Sequence, residues 1–538
     1  MSGVELGLAI VATVDLCFMR VFTPSLFHPT NLSYRYGKAL VEICNRFQKA
    51  ETEIVERITR IQAIWLRTKL QLELLRQLAP ILDEEHRNIQ DETLKVFVNK
   101  LDIASTRLRS YLRKIEGGTA SHDEWKVKNS KYAVFGKSLD TAIDELDMWQ
   151  RMFDPSWYLI MKAERPQIDV ELENLMHRPA RLPISRAQSL RAALNDSALA
   201  TVSVFLPADG LDSIHVSSIR YCSAEYGQRD DASSDVILDH ITCPSQANVR
   251  VFKTNVRNLA RKLSHADPVT FGLLSCKGVV EHRRSQDQQS SFTMVFRISR
   301  EFSEPRSLRS WLLDVDVRHS LSDRFRIATQ IAKSVGYVHT FGFVHKNILP
   351  ETVLIFKSPR SIIESVSLVG FGSFRDVEGG TLRSGDNLWE KNIYRHPRRQ
   401  GQNPQDDYIM QHDIYSLGVC LLELGLWESF VVYEGNSMVP SPSAMLGLSN
   451  DGLDARQPSL TRDHLLSLTR ELLPRRMGTI YSDIVETCLT CLDDDNMDFG
   501  KEGEFLDADG ILVGVRYIEK VPFPTSFIEV AILTHPRL

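Results

Sequence analysis

The segment His345-Lys346-Asn347-Ile348-Leu349-Pro350-Glu351-Thr352-Val353-Leu354 gathers an imidazole, an ammonium, two carbonyl-type groups and a hydroxyl on a short stretch of chain. Taking a proton from a substrate hydroxyl needs real basicity, which a carboxylate has and the Asn347 amide lacks; such help is typically worth about 10²–10⁴ in rate. A magnesium ion asks for carboxylate or amide carbonyl oxygens, for which the Thr352 hydroxyl is a poor substitute. Downstream, Leu368-Val369-Gly370-Phe371-Gly372 offers no side chain at all at Gly370. By residue chemistry alone, Asn347, Thr352 and Gly370 are poor candidates for proton transfer or metal binding.

Other candidate groups add little chemistry. Lys253 closes the alternating run Val249-Arg250-Val251-Phe252-Lys253, which reads as a strand. It is a candidate phosphate contact, against the plainer reading of an exposed lysine at a strand end. Thr254 to Ala266 contains no acidic residue to pair with it, and no G-x-G-x-x-G lies between residues 199 and 250 to cover a phosphate chain. Cys488 and Cys491 form a C-x-x-C with no second pair, so they are expected to be buried helical thiols and no metal site is expected.

The elements that must position these groups fall into two patterns. Between residues 36 and 79, Leu40, Ile43, Phe47, Ile54, Ile58, Ile61, Trp65, Leu72, Leu75 and Leu78 recur at threes, fours and sevens, predicting one long helix or two nearly continuous ones up to Pro80. A second helix is predicted from Asp91 to Ile115, stopped by Gly117-Gly118, and a third from about Trp125 to Phe153. With the apolar segment Gly3 to Phe18 these make a helical bundle. Residues 161–198, rich in proline and arginine, read as a linker. From 199 the chain alternates like strands at Thr201–Phe205 and Phe292–Phe296, then turns helical from Leu321 through Val338. Strands followed by helices predict a two-lobed α+β domain over 199–520, with a tail at 521–538.

Composition narrows the classes. A chain of 538 residues exceeds one core, and 43% hydrophobic with 25% charged content describes an ordinary globular protein. A net charge of −5 offers no footprint for nucleic acid, which is not expected as a partner. Eight cysteines without a secretory leader fit a reducing compartment. Gly3 to Phe18 carries only Glu5 and Asp15 as charges, yet is shorter than the roughly 20 apolar residues a bilayer span needs. It is either a buried helix of the bundle or one that leaves the bundle for a membrane, and both readings hold if they belong to different states. Leu6, Leu8, Ile10, Val11 and Val14 are the insertion candidates.

Four segments in order resemble a protein-kinase domain: Ser320 to Leu354, Gly370-Phe371-Gly372, Tyr394-Arg395-His396-Pro397, and Asp413-Ile414-Tyr415-Ser416-Leu417-Gly418 onward. The resemblance implies that His345 and Asp413 brace the catalytic loop, that Phe371 packs between lobes beside Gly372, and that Asn347, Thr352 and Gly370 replace the catalytic Asp and both metal ligands. Leu349 stands where a phosphate-contacting Lys is usual, and Arg398 replaces a Glu whose Arg partner is also missing near Cys491. The first 160 residues resemble the fungal HeLo domain of heterokaryon-incompatibility proteins, on Gly7-Leu8-Ala9-Ile10-Val11-Ala12, Tyr36-Gly37-Lys38, and Trp65-Leu66-Arg67-Thr68-Lys69-Leu70 leading to Leu82-Asp83-Glu84-Glu85-His86. The order of the two parts is similar to that of mixed-lineage-kinase-like necroptosis executioners. Two departures stand out: Cys17 to Arg35 brings two prolines into an expected short connection, and a proline-bearing apolar tail from Val521 replaces a final helix.

These readings predict a multidomain protein, an all-α bundle over 1–160 followed by a kinase-like domain without enzymatic activity. The implied function is signalling and regulated cell death, the kinase-like domain controlling a bundle that oligomerises and enters membranes. Alternatives are a divergent ATP-dependent Ser/Thr kinase and a non-enzymatic scaffold. ATP stays open as a cofactor and magnesium is not expected. Implied partners are further copies of the chain, membrane lipid and an upstream signalling protein; the implied location is cytoplasmic, moving to the plasma membrane on activation.

Overall fold

A computed structural model divides the chain into two compact units, Met1–Ser185 and Arg186–Leu538. It describes helix and strand residues between 27 and 173 in the first unit, and a few residues between 188 and 192 with most of residues 203–499 in the second; residues 1–26 and 500–538 lie outside the described part.

In the first unit, α1 (Phe27–Asn45) packs along α2 (Glu84–Ser110). The contact is apolar: Leu40, Ile43 and Cys44 are buried on α1, and Leu94, Phe97, Leu101, Ala104 and Leu108 on α2. Helix α1 begins well before Tyr36, so part of the Cys17–Arg35 stretch is helix; Pro29 falls in its first turn, where the missing N–H has no partner to lose. The predicted second helix ends short of Ile115. Leu112–Lys114 is instead a strand, β1, paired antiparallel with β2 (Trp125–Val127) in the register Leu112↔Val127, Arg113↔Lys126 and Lys114↔Trp125. That hairpin also takes the residues assigned to the start of the third helix, of which Ile143 is helical and buried. The described first unit is therefore helical with a small hairpin, not all-α.

Two quoted segments of the first unit meet. The Trp65 ring lies on Gly37, where an added methyl carbon would come within 1.9 Å of a ring atom, and Tyr34 meets Trp65 edge-on at 5.9 Å.

The second unit is a mixed α+β structure. A six-stranded sheet runs in the order β3 (Phe205–Leu206), β7 (Cys276–His282), β8 (Ser291–Arg297), β6 (Val236–Thr242), β5 (Glu225–Arg229), β4 (Ile214–Ser218). Only β3 and β7 pair in parallel. The predicted strand Val249–Lys253 is instead the start of α3 (Val249–Ser264), which packs on β7. Asn248 decides this: its side chain accepts from the amides of Arg250 at 3.0 Å and Val251 at 3.3 Å, capping the helix, while Val256, Leu259, Ala260 and Leu263 form its buried face. The other predicted strand at Phe292–Phe296 lies within β8, and the one at Thr201–Phe205 reduces to Phe205–Leu206 among the described residues.

Helices dominate the rest. β9 (Arg306–Ser307) leads into α4 (Leu308–Leu312), and α5 (Leu321–Thr340) starts in a capping box between Ser320 and Asp323. β10 (Phe343–Val344) pairs with β13 (Arg375–Asp376), and β11 (Val353–Ser358) with β12 (Ser361–Leu368). Then come α6 (Met410–Leu426), the hairpin β14 (Val431–Tyr433) and β15 (Pro440–Pro442), α7 (Pro458–Glu471) and α8 (Thr479–Leu489). Helix α6 is buried along its whole length after Met410, at the centre of α5, α7 and α8.

Gly37→Ala is expected to destabilise the first unit by about 2–3 kcal/mol through overpacking on Trp65, read as a lower urea midpoint. Adding Trp65→Leu should recover part of that loss, and a strictly additive double variant would show that the two residues do not press on one another.

Candidate functional site

The loop between β10 and β11 is organised by one buried carboxylate. Asp413, near the start of α6, accepts hydrogen bonds from the backbone amides of His345 at 2.7 Å and Lys346 at 2.9 Å, and from Tyr408 Oη at 2.7 Å; His339 Nε2 lies 3.0 Å away. Burial pulls its pKa up, but the hydrogen bonds from His339 and Tyr408 hold it below the usual carboxylate range. Lys346 adopts a left-handed conformation, φ +65°, that a lysine does not choose unaided. The two amide bonds to Asp413 hold it there. His345 is fully buried with its ring 4.7 Å from that of Phe371, and burial pushes its pKa down to about 4, so the ring is neutral.

Asn347, Thr352 and Gly370 come together, and do so around each other. Asn347 Nδ2 donates to the Gly370 carbonyl at 3.1 Å, and the Thr352 hydroxyl donates to the Asn347 and Leu349 carbonyls, both at 2.9 Å. Gly370 has φ +84°, and a Cβ there would lie 2.4 Å from Thr352 Cγ2 and 3.2 Å from Asn347 Nδ2. The methyl of Thr352 thus fills the space from which a ligand at 370 would project. The polar groups that remain are spent on backbone carbonyls. No group of three or more His, Cys, Asp or Glu side chains suited to a metal occurs among the described residues.

The next turn, Phe371–Ser373, is held from the sheet. Asp239, fully buried on β6, accepts from the amides of Gly370 at 2.9 Å and Phe371 at 2.8 Å. Burial raises the Asp239 pKa to about 6, partly offset by those two amides and by His240. Phe371 packs between His345 and Phe296 of β8, 6.2 Å between ring centres for the latter. Gly372 has room for a side chain, its nearest neighbour being the His240 carbonyl at 3.6 Å.

Lys253 lies outside this cluster. It sits on α3, not on a strand, and its ammonium pairs with Glu281 of β7 at 2.8 Å, stacked 4.8 Å from the Phe205 ring. The helix supplies the cation and the strand the anion, which explains why the acid-free segment after Lys253 contains no partner for it. Arg398 is largely exposed, 3.7 Å from Asp406, while Asp493 pairs with Arg462. Cys488 and Cys491 are both buried, the latter donating to the Gln411 carbonyl at 3.2 Å just beyond the end of α8. Leu6, Leu8, Ile10, Val11 and Val14 lie outside the described residues.

Lys346 has a cationic neighbourhood. Burial, followed by Arg399, Arg375 and Arg395, pushes its pKa down to about 8, and its ammonium rests 5.5 Å from the Tyr408 ring. The arrangement can hold a backbone in place and present positive charge, and its carboxylates, Asp413 and Asp239, are engaged by backbone amides. Asp239 is the residue that sequence reasoning missed. Its signal was an acid inside the apolar run Val236-Ile237-Leu238-Asp239-His240-Ile241, which demands a buried partner. No family model matches the chain.

A carboxyl held above its unfolded pKa of about 3.9 favours the native state most when protonated. Its contribution is full below about pH 4 and is lost as pH rises through about 6. Asp239→Asn keeps an oxygen for the two amides and removes the charge. It should flatten the fall in stability between pH 5 and 7.5 by on the order of 1 kcal/mol in urea titrations. Asp239→Leu, which orphans both amides, should cost about 2–4 kcal/mol. Parallel pH profiles for the unmodified chain and Asp239→Asn would assign the titration elsewhere.

Proposed function

We propose that the chain is a signalling protein of regulated cell death, in which a catalytically silent kinase-like domain, residues 199–520, controls a HeLo-like N-terminal region. In this reading the six-stranded sheet with α3 is the smaller lobe, and the helices α5 to α8 form the larger one. The observation that carries the silent assignment is the mutual packing of Asn347, Thr352 and Gly370. Each station of proton transfer or metal binding faces another emptied station or a backbone carbonyl. Phosphoryl transfer rests on positioning and on neutralising charge; the Lys346 cluster presents cations, but no metal-ligand group stands with them among the described residues.

Asp239 supports the same conclusion from the opposite wall. The strand before α3 is where kinases place a phosphate-contacting lysine, and the buried ionisable group in the middle of β6 is an acid. A phosphate brought beside that carboxylate meets repulsion instead of a cation. The scaffold groups His345, Phe371 and Asp413 are all occupied in holding the loop, as a domain retained for shape would require. For the N-terminal region, support comes from the contact of Gly37 with Trp65, which joins two segments that carry the HeLo resemblance. Gly3 to Phe18, with its two charges, supplies the segment proposed to enter a membrane when copies of the chain assemble.

Deleting residues 2–18 should abolish both toxicity and membrane association when the chain is expressed in a fungal host; unchanged toxicity would sink the proposal. In a thermal-shift titration of the full chain, millimolar ATP with or without magnesium should leave the transition unmoved. A ligand at a hundred times its dissociation constant would add about 2.7 kcal/mol, so a clear upward shift would show that ATP binds, and phosphate transfer lost in both Asn347→Ala and Lys253→Ala would revive the reading as a divergent kinase.

A further inference from the structure

We infer that the open edge of the six-stranded sheet, strand β4, is a docking site for a strand formed by this chain's own tail, residues 526–534. The inference goes beyond the kinase-like reading and does not depend on it.

The sheet has two edges of different kinds. β3 is only two residues long, and an edge that short offers little to pair with. β4 is five residues long, and its register with β5 runs unbroken from Ile214↔Arg229 to Ser218↔Glu225. Edge strands avoid further pairing through lysines, prolines, bulges or inward charges. Ile214-His215-Val216-Ser217-Ser218 has none of these. Among the described residues no strand lies beyond β4, and His215 to Ser218 are all exposed.

The edge is apolar on one face. Alternation puts Val216 on the same side of the sheet as Ile214, which joins Val236, Leu238, Val280 and Val295 in a buried cluster. Val216 stands opposite Gly227, so no cross-strand side chain on β5 covers it, and it remains 48% exposed. Gly227 has no room to supply one, since a Cβ there would lie 2.5 Å from Ile214 Cγ2 and 2.8 Å from Val236 Cγ2. A strand laid along the edge supplies what β5 cannot.

The tail has the composition of such a strand. Between Pro524 and Pro536, Ile528, Val530, Ile532 and Thr534 are β-branched at every second position, the residue types that favour strands. Glu529 is the one charged residue of 526–534. With the β-branched side chains on the face of Val216, extending the apolar cluster, Glu529 falls on the opposite face with His215 and Ser217, whose polar side chains suit a carboxylate. Main-chain hydrogen bonds supply the affinity, and the alternating side chains set the register. Length is no obstacle. Residues 500–525 span up to roughly 85 Å at about 3.3 Å per residue, against a radius of gyration of about 20 Å for a domain of roughly 320 residues. A tethered segment also acts at about millimolar effective concentration, which a second copy of β4 reaches only in concentrated solution.

The test is hydrogen exchange of the full chain, read by mass spectrometry over residues 214–218. Val530→Pro removes a main-chain donor from the middle of the docked strand, and it should speed exchange over 214–218 roughly three- to tenfold. Val530→Ile keeps the β-branched side chain and should match the unmodified chain. Amides of β8, at 291–297, should stay slow in both. Equal exchange over 214–218 in Val530→Pro and the unmodified chain overturns the docking. So does protection in the unmodified chain that falls on about tenfold dilution, which assigns the edge to a second copy. If Val530→Pro speeds β8 together with β4, a synthetic peptide of residues 524–536 is added in trans at about millimolar concentration. Slow exchange restored over 214–218 then supports the docking, and no restoration overturns it.

Discussion

Everything at the candidate site hangs on the acceptance of backbone and side-chain donors by Asp413. Two of its bonds go to successive amides, His345 and Lys346. These bonds fix the chain up to the Lys346 nitrogen, and the left-handed Lys346 then turns it toward Asn347. Removing the acid would leave two buried amides and a tyrosine hydroxyl without their acceptor, together with an unfavourable backbone conformation. The position of Asn347, and through it the contact with Gly370, follows from the bend.

The same helix holds the other end of the loop through a second acid. Glu423 and Arg309 are both fully buried and 2.7 Å apart, and Arg309 also reaches Glu351 at 2.9 Å. Tyr394 donates to Glu423 at 2.6 Å, and Ser429 accepts from Arg309 at 2.6 Å. Buried ion pairs add little net stability over apolar packing, yet deleting one partner costs about 3–5 kcal/mol because it strands the other. Their contribution is therefore one of arrangement: α4, the loop at Glu351, the Tyr394 segment and α6 fit together in one way only. Asp413 and Glu423 bracket the loop from a single rigid rod.

How much of this was legible in the sequence depended on distance along the chain. Asn347, Thr352 and Gly370 were singled out through the resemblance to a protein-kinase domain, whereas their packing on one another is set by contacts that no local pattern marks. Helix α5 and strand β8 were readable because their apolar periods are unbroken. The strand proposed at Val249–Lys253 failed because two valines in alternation outweighed a single cap, Asn248, whose effect is worth about 1 kcal/mol but acts where the helix must start. The hairpin at Leu112 was hidden for a related reason, since Leu108, Leu112 and Ile115 continue a helical period past the true end of α2. Asp239 was beyond reach, its two partners being backbone amides 131 and 132 residues further on. No side-chain pattern marks an amide as an acceptor's partner. Lys253 was misplaced along with its helix, and its true partner on β7 is again a residue remote in sequence.

The tight contact between Gly370 and Thr352 makes the two positions interdependent. A carboxylate at 370 cannot be accommodated while the threonine methyl stands 2.4 Å from its Cβ, and the left-handed backbone penalises every side chain there. Replacing Thr352 alone, in turn, gives up the hydroxyl that ties the Asn347 and Leu349 carbonyls. Each single change at this pair is thus expected to cost stability. The two positions are coupled: a side chain at 370 and the threonine at 352 exclude one another, so the two can change only together.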